Sequence, residues 1–201
     1  MMMSDSRLDT LSPLAHRILQ LGAPSSYSRL VVSGEGLTEA REILEIVQPD
    51  QLVSVPMANS TDARGMLAGL WLWHDWLDES HGISQELHDS TGSFWHAIMH
   101  RREGDFSNSK YWYARVGQHP MLPIIGAAVT EAVNHLPADK SYLRLFTKGW
   151  NPNAFVDLVE EVSDNPSDPR LQTVIAIQRV EWRMLFDHCT RSAGQHESRT
   201  E

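Results

Sequence analysis

The chain has 201 residues, 41% hydrophobic and 21% charged, enough to bury one core of ordinary globular size. Its formal net charge of -9 argues against a large nucleic-acid footprint, because neutralising phosphates takes an excess of Lys and Arg. The single cysteine, Cys189, has no internal disulfide partner and fits a reducing compartment.

The opening "MMMSDSRLDT" lacks the basic-then-apolar order of a secretory signal. Residues 1 to 9 read as a disordered polar start, 10 to 190 as one helical domain, and 191 to 201 as a disordered tail. Within the domain, "SPLAHRILQLG" is a short helix opened by Ser12 and Pro13 and closed by Gly22. "GLTEAREILEIVQP" follows, with Thr38 as N-cap and Pro49 as stop. The longest predicted helix runs from about Thr61 to His88, with Gly82 as a weak point inside it. Another begins after "DSTG", and a further one spans Met121 to Leu136. Then come "DKSYLRLFTKG", "NPNAFVDLVEEVSD" and a final helix capped by Asp168, with Pro169 in its first turn. "RLVVSG" is the one extended-looking piece and has no obvious partner strand. The expected fold is an all-α, single-domain bundle of seven to eight helices. The apolar runs "GMLAGLWLW" and "MLPIIGAAV" fall short of the roughly 20 residues a membrane span needs, so a cytoplasmic protein is expected.

At 100° per residue along the long helix, Leu67, Trp71, His74, Asp78, His81, Gln85 and His88 fall on one stripe. The stripe starts apolar and turns polar without leaving the core-facing side. Buried polar groups need partners, so these either bond one another or hold a ligand.

"GSFWHAIMHRREGDF" places His96 and His100 four apart, with Glu103 three further on, all on one helix face. Two imidazoles at this spacing can share a metal ion. The zinc-protease signature fails, because Ala97 stands where that pattern has Glu. What remains is His-x-x-x-His plus an acid, set against Asp78-x-x-His81, a combination that helical bundles use to hold metals in their cores. One divalent transition ion, Zn, Fe or Mn, would suit such ligands. A dry His–carboxylate network is the plain alternative.

"RREGDFSNSKYWYARVGQHP" then sets Arg101, Arg102, Lys110 and Arg115 among Tyr111, Trp112 and Tyr113, with Asp105 and Asn108 in a polar break. Arginine forks bind carboxylate or phosphate, and aromatic rings stack on planar groups. The competing expectation is that Arg101 and Arg115 form internal salt bridges with Asp78, Glu103 or Asp105.

Across Asp78 and His81, then Trp95, His96, His100, Arg101, Glu103 and Asp105, then Asn108, Tyr111, Trp112, Arg115, Val116, Gly117, His119 and Pro120, the chain resembles a family of helical proteins from bacteria and fungi. The resemblance covers roughly residues 65 to 125 and implies a helical fold with a site along this segment. It supplies no chemistry. His74 and His88 fall outside its pattern.

These residues lead to the expectation of a metal-dependent enzyme, a hydrolase or an oxidoreductase, acting on a small polar or anionic molecule. His81, His96 and His100 would ligate the metal, with Asp78 as a fourth ligand or as an orienting group. Glu103 would be the general base, provided a partly buried setting raises its pKa. Arg101, Asn108, Tyr111, Trp112 and Arg115 would bind substrate. A non-catalytic interaction module whose polar cluster fixes helix register is a second reading. A metal-free anion pocket is a third, without a Gly-rich phosphate loop to support it. The sequence is compatible with a homo-oligomer.

Overall fold

A computed structural model describes residues 10–133 and 149–194. They form an all-α bundle, with nine α-helices and no strands among the described residues. All but the final Gly149 of the predicted stretch "DKSYLRLFTKG", and the end of the helix expected to reach Leu136, lie outside them.

Helix α1 (Pro13–Gln20) starts as its sequence predicts: the Ser12 hydroxyl accepts from the Ala15 amide at 3.1 Å. Helix α2 (Thr38–Leu44) has Leu37 at its cap, and Thr38 is the first helical residue instead. A 3₁₀ turn over Pro49–Leu52 follows, and Leu11 and Val53 form one isolated antiparallel bridge. "RLVVSG" pairs with no strand; Val32 donates one backbone hydrogen bond to the Arg102 carbonyl.

The long predicted helix is two helices. α3 (Ser60–Trp73) stops at His74, and α4 (Leu77–Ser84) starts after Trp76, with Gly82 inside it. The break is made by Asp75, which sits in the left-handed region at φ 66°. Aspartate is among the few non-glycine residues that visit that region readily. Its carboxylate is held there by Arg29 at 2.6 Å and Arg102 at 2.6 Å. Both partners are distant in sequence, so no local Gly or Pro announces the turn.

Helix α5 (Ser90–Glu103) is the centre of the bundle. Asp89 caps it by accepting from the Gly92 amide at 2.7 Å, and every residue from Thr91 to Arg102 is buried. A helix buried all round must pair whatever polar groups it carries. It packs against α3, α4, α6 and α9. Trp95 reaches α3 at Gly69, where a Cβ would lie 2.8 Å from the Trp95 ring.

Gly104, at φ 89°, ends α5, and Asp105 caps α6 (Phe106–Val116) by accepting from the Asn108 amide at 3.0 Å. This turn folds α6 back along α5. Helices α7 (Leu122–Val133), α8 (Pro152–Ser163) and α9 (Leu171–Gly194) complete the bundle. α9 runs four residues into the predicted disordered tail, and Ala193 is fully buried. None of the described helices is long and apolar enough to cross a membrane.

Candidate metal centre

The break at Asp75 decides which histidines meet. His74 ends α3 pointing away from α5, with its Nε2 2.9 Å from the Ile18 carbonyl on α1. His88 is exposed in the connection before α5. His81, one turn into α4, faces α5 instead. Its ring centroid lies 4.7 Å from that of His96 and 5.4 Å from that of His100. One potential ligand nitrogen from each of the three lies within 4.8 Å of the others.

His96 and His100 are buried, and His81 is half-buried. The His100 Nδ1 lies 3.0 Å from Glu103 Oε2. An ionised carboxylate only accepts, so Nδ1–H donates and the His100 Nε2 keeps its lone pair. The Asn108 amide nitrogen, one turn into α6, lies 3.1 Å from that Nε2. Burial lowers the His100 pKa, and the bond to Glu103 works in the opposite direction.

His96 differs. Neither of its ring nitrogens has a hydrogen-bond partner, and it is 3% exposed. Burial, with smaller contributions from His100 and His81, pushes its pKa down to about 3. The ring is therefore neutral at physiological pH, the form that ligates metals. Trp112 lies parallel to it, centroids 3.9 Å apart and planes 16° apart.

Asp78 does not join the cluster. It is exposed at the start of α4 and, with Glu35, Arg41, Trp76, Glu79 and Glu103, lines an open cavity of about 350 Å³. Its spacing from His81 was right for one helix face, but the first turn of α4 points that carboxylate into the cavity. Glu103, the expected general base, has a side chain 51% exposed and is bonded to His100, so the partly buried setting expected for it is absent.

Arg101 is not available to any substrate. It is fully buried, donating to Tyr113 Oη at 2.6 Å and to Glu181 Oε2 at 2.5 Å, with its guanidinium 4.6 Å over the Phe155 ring. Tyr113 closes the triangle by donating to Glu181 Oε1 at 2.7 Å. The internal-pair expectation for Arg101 was sound in kind, but the partner is Glu181 on α9, not Asp78, Glu103 or Asp105. Arg115 and Tyr111 are exposed beside the cluster: the Arg115 guanidinium lies 5.2 Å over Trp112 and donates to Tyr111 Oη at 3.4 Å. Asn108 and Trp112 thus touch the histidines directly, whereas Tyr111 and Arg115 reach them only through Trp112.

A second histidine pair lies apart from the first. His119 and His188 have ring centroids 5.0 Å apart, and Thr91 Oγ1 is 3.3 Å from His119 Nε2. The partners come from separate helices and the loop before α7, so spacing along the chain carries no signal for this contact. Glu181 had one signal: a lone carboxylate in the apolar run "VIAIQRVEWRMLF".

No protein-family profile, curated protein or solved structure matches the chain.

Proposed function

We propose that the protein is a metal-dependent enzyme in which His81, His96 and His100 hold one divalent transition ion. The observation that carries this reading is the convergence of three imidazoles around His96, a buried ring with no other use for either nitrogen. An unsatisfied buried polar atom costs about 1–3 kcal/mol, so a ring with two of them calls for a missing partner. Three nitrogens on a tetrahedral ion at about 2.0–2.1 Å stand ~3.3 Å from one another. The candidate ligand atoms of the three rings already lie within 4.8 Å of one another.

The residues around the cluster divide the work. Glu103 fixes the His100 ring through Nδ1, the usual task of a carboxylate behind a metal-bound histidine. The Asn108 amide donates to the His100 Nε2 lone pair at 3.1 Å and would have to turn aside for that nitrogen to take an ion. Arg115 is the one cation of the predicted substrate set that stands exposed beside the site, and it favours a small polar or anionic substrate. A bound transition ion supplies Lewis acidity or redox chemistry, so hydrolysis and oxidation are the two reaction classes that fit.

Protein purified without a His-tag tests this by elemental analysis and thermal melts. The expected result is close to one equivalent of Zn, Fe or Mn. Restoring metal to stripped protein at a hundredfold excess over Kd should add about 2.7 kcal/mol of stability. Less than about a tenth of an equivalent, with no stabilisation by any of the three metals, would sink the proposal.

A further inference from the structure

We infer that Trp112 is the positioning residue of the metal site, holding the His96 ring in the orientation that a hydrogen bond normally fixes; the inference rests on the metal-site reading above. Metal-bound histidines almost always donate their second ring N–H to a carboxylate, carbonyl or water, which sets both tautomer and ring plane. His100 meets that rule through Glu103. His96 does not, since neither nitrogen has a partner and the ring is cut off from water. Only packing is left to hold it.

The packing is specific. The indole of Trp112 lies 3.9 Å from the His96 ring and 16° from parallel, a stack close enough to restrict rotation about the second side-chain torsion. That torsion is broad when nothing constrains it. Trp112 is itself braced. Tyr111 meets its ring edge-on at 5.6 Å, and the Arg115 guanidinium sits 5.2 Å over it. The Asp105 cap starts α6 in the register that brings Asn108 to His100 and, four residues later, Trp112 to His96. Trp112, expected to be a wall of a substrate pocket, thus has its flat face turned to a metal ligand.

The test compares Zn(II) and Co(II) binding by wild type, Trp112→Leu, Trp112→Phe and His96→Ala, using calorimetry and the Co(II) absorption spectrum. Trp112→Leu should weaken binding by about 10–100-fold, the usual cost of losing an orienting partner. Its Co(II) spectrum should move toward that of His96→Ala. Trp112→Phe restores a flat ring and should stay within about threefold of wild type with a wild-type spectrum. If wild type binds neither metal, the metal site falls and this inference falls with it. If wild type binds and Trp112→Leu binds equally well, or Trp112→Phe loses as much as Leu, the positioning role alone is overturned. Should Trp112→Leu fail to fold, Trp112→Met keeps the bulk without the ring and is read the same way.

Discussion

Replacing Glu181 by glutamine separates a structural Arg101 from the substrate-binding one that the sequence invites. Glu181 is fully buried on α9 and takes Arg101 through one oxygen and Tyr113 through the other, at 2.5 and 2.7 Å. Burial opposes the charge on Arg101, and Glu181 and Tyr113 together more than offset it, so the guanidinium stays protonated. Glu181→Gln keeps the shape but leaves that cation without a counter-charge in a site that water does not reach. Removing one member of a buried pair costs about 3–5 kcal/mol, which for a chain of this size lowers Tm by roughly 10 °C. Urea denaturation at neutral pH measures the loss directly. The double variant Arg101→Met with Glu181→Leu should recover most of it, because no charge is then stranded. A Glu181→Gln protein within about 1 kcal/mol of wild type would refute the reasoning and return Arg101 to the ligand-binding candidates.

At the site, Asp78→Ala should leave metal affinity within about threefold of wild type, whereas Glu103→Ala should weaken it at least about tenfold; calorimetry with Zn(II) ranks them, and the opposite order would restore Asp78 as a ligand. Stability should fall with acid. His119 is 2% exposed, and burial, then His188, holds its pKa at about 4 against an ordinary 6.5. The unfolded chain therefore binds a proton that the fold refuses. Stability from this group is complete above its unfolded pKa of 6.5 and is lost as pH drops toward 4, by roughly 2–3 kcal/mol. Denaturation curves of wild type and His119→Asn at pH 7.5 and 4.5 check this, the variant showing the smaller drop. Gly69→Ala should cost about 1–3 kcal/mol, since its Cβ would lie 2.8 Å from the Trp95 ring and 3.2 Å from Phe186; an unchanged melt would mean that Trp95 has room to move.

The helices were legible where the signal is local. The Ser12 cap and the apolar period of the last helix are visible in consecutive residues, and α1 and α9 follow them; Asp168, expected to cap α9, accepts from the Arg170 amide in the turn before the helix, which begins at Leu171 and leaves Pro169 outside it. The His96–His100–Glu103 face was legible for the same reason, since one helix fixes it. What escaped depends on residues far apart. The string "LWLWHDWLDES" has no breaker, and the turn at Asp75 exists because Arg29 and Arg102 hold its carboxylate from 46 and 27 positions away. The role of Arg101 escaped likewise, because its counter-charge lies 80 residues further on.

The missed break is also what assembles the site. In one continuous helix, His74 and His81 would share a stripe about 10 Å apart along the axis, and both would face the same neighbour. In the structure they part company: His74 turns to the Ile18 carbonyl on α1, and His81 turns to α5. The clamp that makes this possible includes Arg102, which lies two residues beyond His100 on α5 and reaches Asp75 at 2.6 Å while donating to the Leu72 carbonyl at 2.6 Å. Helix α5 thus carries two of the three imidazoles and also holds the bend that delivers the third. Arg101 and Arg102, which look from the sequence like part of a lining for an anion, instead tie α5 to Glu181 on α9 and to the bend at Asp75. Both are fully buried, because a helix buried all round leaves no exposed face for a charge.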